Sequence, residues 1–257
     1  MTMLTIFTNE FRPSGRMLAA ALLCACVLTI SAPAAANAFK LDHWVRVMAV
    51  NPADGVLANE FRRACRNAKR VADCIEPLQK LLKQFSDSPG LRYNAALIYV
   101  DAMAGKSILA QGQLSTRSID RVVPLIKQDA NDWLAYYIRG LNNLYWPTFF
   151  RRTARAIDDL RYCVTLVTGG AVAQEGYHVR AWIALGDALA KADAVHDAVA
   201  AWTAGIKRFP KSRALKERLN VPYENIRLFV AQQRDIDRPI DTDLKFLTDS
   251  PEVGHDS

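Results

Sequence analysis

VRAWIALGDALAKADAVHDAVAAWTAGIKRFPKS (Val179–Ser212) is the stretch whose reading decides the fold. Trp182, Leu185, Gly186 and Leu189 recur at helical spacing on one side of a first helix, and Ala198 and Trp202 do so on a second. Gly186 carries no β-carbon and Ala198 nothing beyond one, so the two helices can cross closely there while Trp182 and Trp202 fill the space around the crossing. Pro210 has no amide hydrogen to donate and stops the second helix. A helical pair of this kind leaves apolar surface on its flanks and requires packed neighbours.

Working outward, DWLAYYIRGLNNLYW (Asp132–Trp146) places Tyr136 and Gly140 at the same small-residue spacing, and RRTARAIDDLRYCVTL (Arg151–Leu166) supplies Ala156, Leu160 and Cys163 from a second helix. Leu91 to Met103, with Tyr93, Ala96, Leu97, Tyr99 and Val100, reads as a further first helix. Its partner is expected to begin after Ser115 or Thr116 and to hold Ile119, Val122, Val123 and Ile126, bent or shortened by Pro124. These stretches resemble the tetratricopeptide repeat family, most specifically over Val179–Ser212, less so over Asn131–Leu166 and weakly over Leu91–Gln128.

The resemblance implies an all-α fold over residues 54–220: an α-α superhelix of three to four hairpins, closed by a capping helix around Ala214, Leu215 and Leu219. It also implies that the first helices line a concave groove holding a protein or peptide segment. Carried over position by position, the groove residues are Arg180, Ile183, Asp187, Ala190 and Lys191 in the best repeat. Tyr137, Leu141, Leu144 and Tyr145 follow in the preceding one, and Asn94, Ile98 and Asp101 in the weakest. For the charged members a solvent-facing role is the alternative. The connection Tyr145–Phe150 is longer than the family pattern, and Trp146, Phe149 and Phe150 beside Arg151 and Arg152 have the composition of an interface anchor. Rings that fill a gap between unequal hairpins have the same composition.

Ahead of this region, Arg12 and Arg16 precede the uncharged run Met17–Ile30, which leads to Ala36-Asn37-Ala38. A basic start, an apolar middle and an A-x-A end are the parts of a secretory signal peptide, with the cut expected after Ala38. The run is shorter than the roughly 20 apolar residues that span a bilayer; an uncleaved anchor is the alternative. Export to a periplasmic or other extracytoplasmic space would leave Cys65, Cys74 and Cys163 where disulfides persist. Cys65 and Cys74 can pair if a turn near Ala68–Val71 folds their helices into a hairpin, whereas one continuous helix would hold them about 13.5 Å apart along its axis. Residues 39–53 form an apolar leader, and residues 221–257, polar from Arg234 and carrying Pro239 and Pro251, read as a mostly flexible tail.

The chain is basic, with a formal net charge of +7. Arg62, Arg63, Arg66, Lys69 and Arg70, and again Arg151, Arg152 and Arg155, are the local concentrations, and a solvated helix face accounts for them without nucleic acid. Attraction to anionic lipid or polymer is the other use of such patches, and it defines the alternative to a protein-binding scaffold: a membrane-tethered or envelope-surface structural protein. His43, His178, His196 and His255 show no metal-binding spacing, no Cys-x-x-Cys occurs, and no phosphate-loop signature is found, so neither a metal, a cofactor nor a catalytic set is expected.

Overall fold

The computed structural model describes residues 39–235, 238 and 240–247; the expected signal segment and its cleavage site lie outside the described residues. Among the described residues there are eleven α-helices and no strand: α1 Leu41–Val50, α2 Gly55–Asn67, α3 Val71–Gln84, α4 Pro89–Asp101, α5 Ile108–Gln128, α6 Trp133–Leu144, α7 Thr153–Thr168, α8 Val179–Lys191, α9 Val195–Arg208, α10 Arg213–Leu219 and α11 Ile226–Gln233. From α4 to α10 each helix packs mainly on a neighbour in sequence, whereas α1 packs chiefly on α3, α2 on α4 and α11 on α8; α2, α4, α6 and α8 touch one another in that order.

The helix starts follow from local chemistry. Asp54, Ser88, Ser107, Asp132 and Ser212 each accept a hydrogen bond from the amide three residues on, which satisfies one of the orphan donors of a first turn. Pro89 follows its cap at the first helical position, where a missing amide hydrogen costs nothing. Two close helix crossings fall where the sequence places them. A β-carbon at Gly186 would stand 2.1 Å from Trp202 Nε1, and one at Gly140 would stand 2.9 Å from Leu160 Cγ. Trp182 and Trp202 are wholly buried, with the Trp202 indole donating to the Ile183 carbonyl at 3.2 Å.

Two sequence expectations are corrected, and one left open, whether the apolar leader packs on the first helix or stays loosely attached, is decided for packing. The partner of α4 starts at Ile108, not after Ser115, and runs past Pro124 to Gln128. Ser115 had suggested a cap because serine ordinarily competes with the helix backbone; here it is buried and its hydroxyl bonds to Asn142 Oδ1, to the Trp146 indole and to Arg152. The apolar leader is the helix α1, which buries Met48 and sets Trp44 against Phe61. The second correction concerns the tail. Arg234 and residues 240–247 lie against the helices, with Thr242 buried, because their polar groups find charged partners on α2, α4 and α8.

Cys65 and Cys74 are joined by a disulfide with α-carbons 6.5 Å apart, across a turn in which Lys69 adopts a left-handed backbone conformation. Cys163 is a buried free thiol, and burial drives its pKa well above the ordinary value.

Three substitutions check this packing and its cross-link. Gly186→Ala gains helix propensity but drives a methyl into the Trp202 ring, so thermal or denaturant unfolding should show a net loss of about 2 kcal/mol. Gly112→Ala, whose new atom would meet only the far edge of Trp146 at 3.5 Å, should be neutral or stabilising. Cys65→Ala should cost about 2–3 kcal/mol, the loop-closure contribution of so short a cross-link.

Candidate functional site

The site is the shared face of α2, α4, α6 and α8 together with the chain segment 240–247 that runs across it. Its first centre is Arg62. This guanidinium has no exposed surface, and a buried charge is tolerated only when it is paired and its donors are used. Nε donates to Asn94 Oδ1 at 2.7 Å, Nη1 to Asp101 Oδ2 at 2.8 Å, and Nη2 to Asn59 Oδ1 at 2.8 Å and to the Thr242 carbonyl at 2.6 Å. Asn94 Nδ2 in turn donates to the carbonyls of Gly55 and Gly90, tying the first turns of α2 and α4 together. Burial pulls the Arg62 pKa below its ordinary value, opposed by Asp101.

The second centre is Asp187 on α8, also without exposed surface. Its carboxylate accepts from Arg218 of α10 through both oxygens, at 2.6 and 2.9 Å, and from Arg234 Nε at 2.8 Å. Burial alone would raise the Asp187 pKa, but the two guanidinium groups bring it below the ordinary carboxylate value. Arg234 continues to the Tyr145 hydroxyl at 2.8 Å, and Lys191 donates to the Leu144 carbonyl at 2.6 Å. Burial, reinforced by Arg234, lowers the Lys191 pKa to about 8.

Between these centres the face is apolar. Leu97, Val100, Leu134, Tyr137, Ile138 and Leu141 meet Ile240, Leu244 and Phe246 of the crossing segment. The Arg180 guanidinium lies 4.4 Å from the centre of the Phe246 ring and pairs with Asp241 at 3.3 Å. Beside the segment opens a cavity of about 340 Å3, bordered by Arg66, Asp101, Gln111, Asn142, Trp146 and Arg238. Gln111 Oε1 and Asn142 Nδ2, both buried, have no hydrogen-bond partner among the described residues.

The residues singled out from the sequence thus fall into three groups. Tyr137, Leu141 and Arg180 lie on the face and touch the crossing segment. Asn94, Ile183 and Asp187 are buried and hold helices to one another, through Arg62, the Trp202 indole and Arg218 respectively. Tyr145 and Lys191 sit at one edge, engaged by Arg234 and the Leu144 carbonyl. Among the aromatic residues of the long connection, Trp146 is buried under Arg152, whereas Phe149 and Phe150 are exposed and packed on each other. The anchor reading therefore does not extend to Trp146, whose indole is consumed by Ser115.

Sequence reasoning missed Asn59, Arg62 and Arg66 on α2 and the whole segment 240–247. Asn59, Arg62 and Arg66 recur at helical spacing beside the apolar Phe61 and Cys65, a signal that reads equally well as a solvated stripe. Two others of that basic run pair locally, Arg63 with Glu60 at 2.6 Å and Arg70 with Asp73 at 2.8 Å.

Among the described residues no three His, Cys, Asp or Glu side chains come together in a way that could hold a metal ion, and no helix is long and apolar enough to cross a membrane. His178 stands edge-on to Trp133, and its Nδ1 accepts from the Glu175 amide at 2.9 Å, which fixes the neutral ring with hydrogen on Nε2. Burial lowers its pKa to about 4. Comparison with models of protein families, with curated proteins and with solved structures returns no match in any of the three.

The His178 environment makes a pH prediction. The unfolded chain binds a proton near pH 6.5, the folded chain only near 4, so His178 contributes fully above 6.5 and its contribution is lost as the pH falls to about 4. Denaturant unfolding across that window should show a loss of up to about 3 kcal/mol that is absent from His178→Gln.

Proposed function

We propose that this chain is an exported scaffold of the tetratricopeptide type that works without chemistry of its own, holding an extended segment of a partner protein across α2, α4, α6 and α8. One observation carries the reading: that face already carries a non-helical stretch of protein ending in a 3-10 turn, residues 240–247, held by side chains from three of the four helices. The neighbour-on-neighbour packing of helices and the contacts from α2 to α4 to α6 to α8 are what a superhelix of stacked hairpins requires. The signal-like residues before Phe39 support a periplasmic or other extracytoplasmic location, and the Cys65–Cys74 disulfide is consistent with an oxidising one.

The partner reading is tested with a photoreactive amino acid placed at Leu141 on the face or at Lys216 on the exposed side of α10, followed by irradiation of the intact envelope. A discrete protein adduct at Leu141, mapped to one short segment and absent at Lys216, is expected. The same adducts at both positions would contradict it, and attachment to lipid or polysaccharide would favour the envelope-surface alternative. For export, the purified protein should begin at Phe39 when its N-terminus is sequenced; a chain retaining Met1 would contradict cleavage.

A further inference from the structure

The segment 240–247 differs from the helices it crosses. Of its residues only Thr242 is buried; Ile240, Asp243, Leu244, Phe246 and Leu247 are half-exposed, and Asp241 and Lys245 are exposed. Residues 240–244 carry no regular structure and lead into a single 3-10 turn at Lys245–Leu247, and side chains of the face read the backbone and side chains of this stretch. Asn59 Oδ1 accepts from the Leu244 amide at 3.1 Å, Arg62 donates to the Thr242 carbonyl, and the Thr242 hydroxyl bonds Asp101 and accepts from Arg66 at 3.1 Å. Asn59 Nδ2 donates to Asp243 at 2.7 Å, and Arg66 pairs with the same carboxylate at 3.6 Å.

Two features separate this arrangement from a fixed part of the core. Arg62 keeps three of its four bonds, to Asn59, Asn94 and Asp101, without the segment, so the face is organised before anything lies on it. Beneath the segment a void of about 30 Å3 remains against Leu97, Leu134, Tyr137 and Leu141, a fit looser than the close packing of a core. The face also has a sign. Its acidic residues, Asp101 and Asp187, are buried and neutralised, whereas Arg66 and Arg180 keep part of their surface in solvent and meet Asp243 and Asp241.

We infer that residues 240–247 are a displaceable internal ligand, and that the partner taken by this face is a short segment of the same chemistry: an acidic, hydroxyl, acidic triplet followed by large apolar residues one and three places on, the second of them in a 3-10 turn. The inference rests on the protein-binding reading above and deepens it. Asp241, Thr242 and Asp243 supply the charges and the hydroxyl, while Leu244 and Phe246 supply the apolar contacts. A partner of that kind competes with the resident segment, so its apparent affinity is reduced by the fraction of time the face is covered.

The test uses the full chain and a fluorescent synthetic peptide, PIDTDLKFL, copied from residues 239–247. Anisotropy should show the peptide binding the Asp241→Asn/Phe246→Ala chain about tenfold or more tightly than the unaltered chain. Adding Arg180→Glu to that variant should abolish binding, and a scrambled peptide should bind neither. Equal binding to both chains, with the variant folded, would overturn the inference. Should the variant not fold, hydrogen exchange on the unaltered chain decides: excess unlabelled peptide should speed exchange of the chain's own 242–247 amides about tenfold, and unchanged exchange would overturn it. Peptide binding without an envelope adduct at Leu141 would remove the partner reading and leave the internal ligand standing. An adduct at Leu141 with exchange unaffected by peptide would do the reverse.

Discussion

A guanidinium taken wholly out of water is the constraint from which the functional face of this protein follows. Arg62 occupies the middle of α2 with no exposed surface, and the cost of leaving any of its charge unanswered fixes what must surround it. Asn94 and Asp101, seven residues apart on α4, stand about two turns along that helix and so present the same side to Arg62. Asn59 stands one turn back on α2 and completes the fork. The same Asn94 reaches the backbone at Gly55 and Gly90, where a β-carbon on Gly90 would come within 2.6 Å of Gly55 Cα. One buried charge thereby sets both the distance between α2 and α4 and the polarity of the surface they share.

The other end of the face is organised by the opposite charge. Asp187 collects Arg218 from α10 and Arg234 from just beyond α11, which anchors the chain as it turns back. Between the two centres lie Tyr137, Leu141 and their apolar neighbours, a surface without charge of its own. A segment lying on this face beside Arg62, Arg66 and Arg180 therefore meets cations at its acidic positions and aliphatic or aromatic side chains at its apolar ones. This alternation is met by Asp241, Thr242, Asp243, Leu244 and Phe246 of the same chain.

Much of the helical architecture is legible in local sequence. Periodicity and small residues place α8 and α9 and their crossing at Gly186, and short polar caps place the starts of α2, α4 and α6. Tyr137, Leu141 and Arg180 are reached by carrying the groove positions of the resembled repeat onto its first helices, and the same carry-over selects Asn94 and Asp187, whose side chains are buried between helices. What local sequence hides is long-range pairing. Arg62 and Thr242 are 180 residues apart, and nothing near either one distinguishes a buried arginine from a solvated arginine, or a docked Asp-Thr-Asp from a polar tail. Ser115 misleads for a related reason: its hydroxyl serves Asn142, Trp146 and Arg152 rather than a helix end. The Cys65–Cys74 pairing turns on whether the chain bends after α2, which depends on the left-handed conformation of Lys69, a residue with no strong preference for it.

The organising role of Arg62 and the subordinate role of the segment it touches are separated most directly by denaturant unfolding of two single variants. Arg62→Met leaves Asp101 buried beside one remaining cation and should cost about 3–5 kcal/mol. Thr242→Ala removes only the hydroxyl bonds of a surface segment, leaving its carbonyl bond to Arg62, and should cost about 1 kcal/mol. Equal losses from the two, or a larger loss from Thr242→Ala, would mean that the segment is an integral part of the fold and that the face does not exist without it.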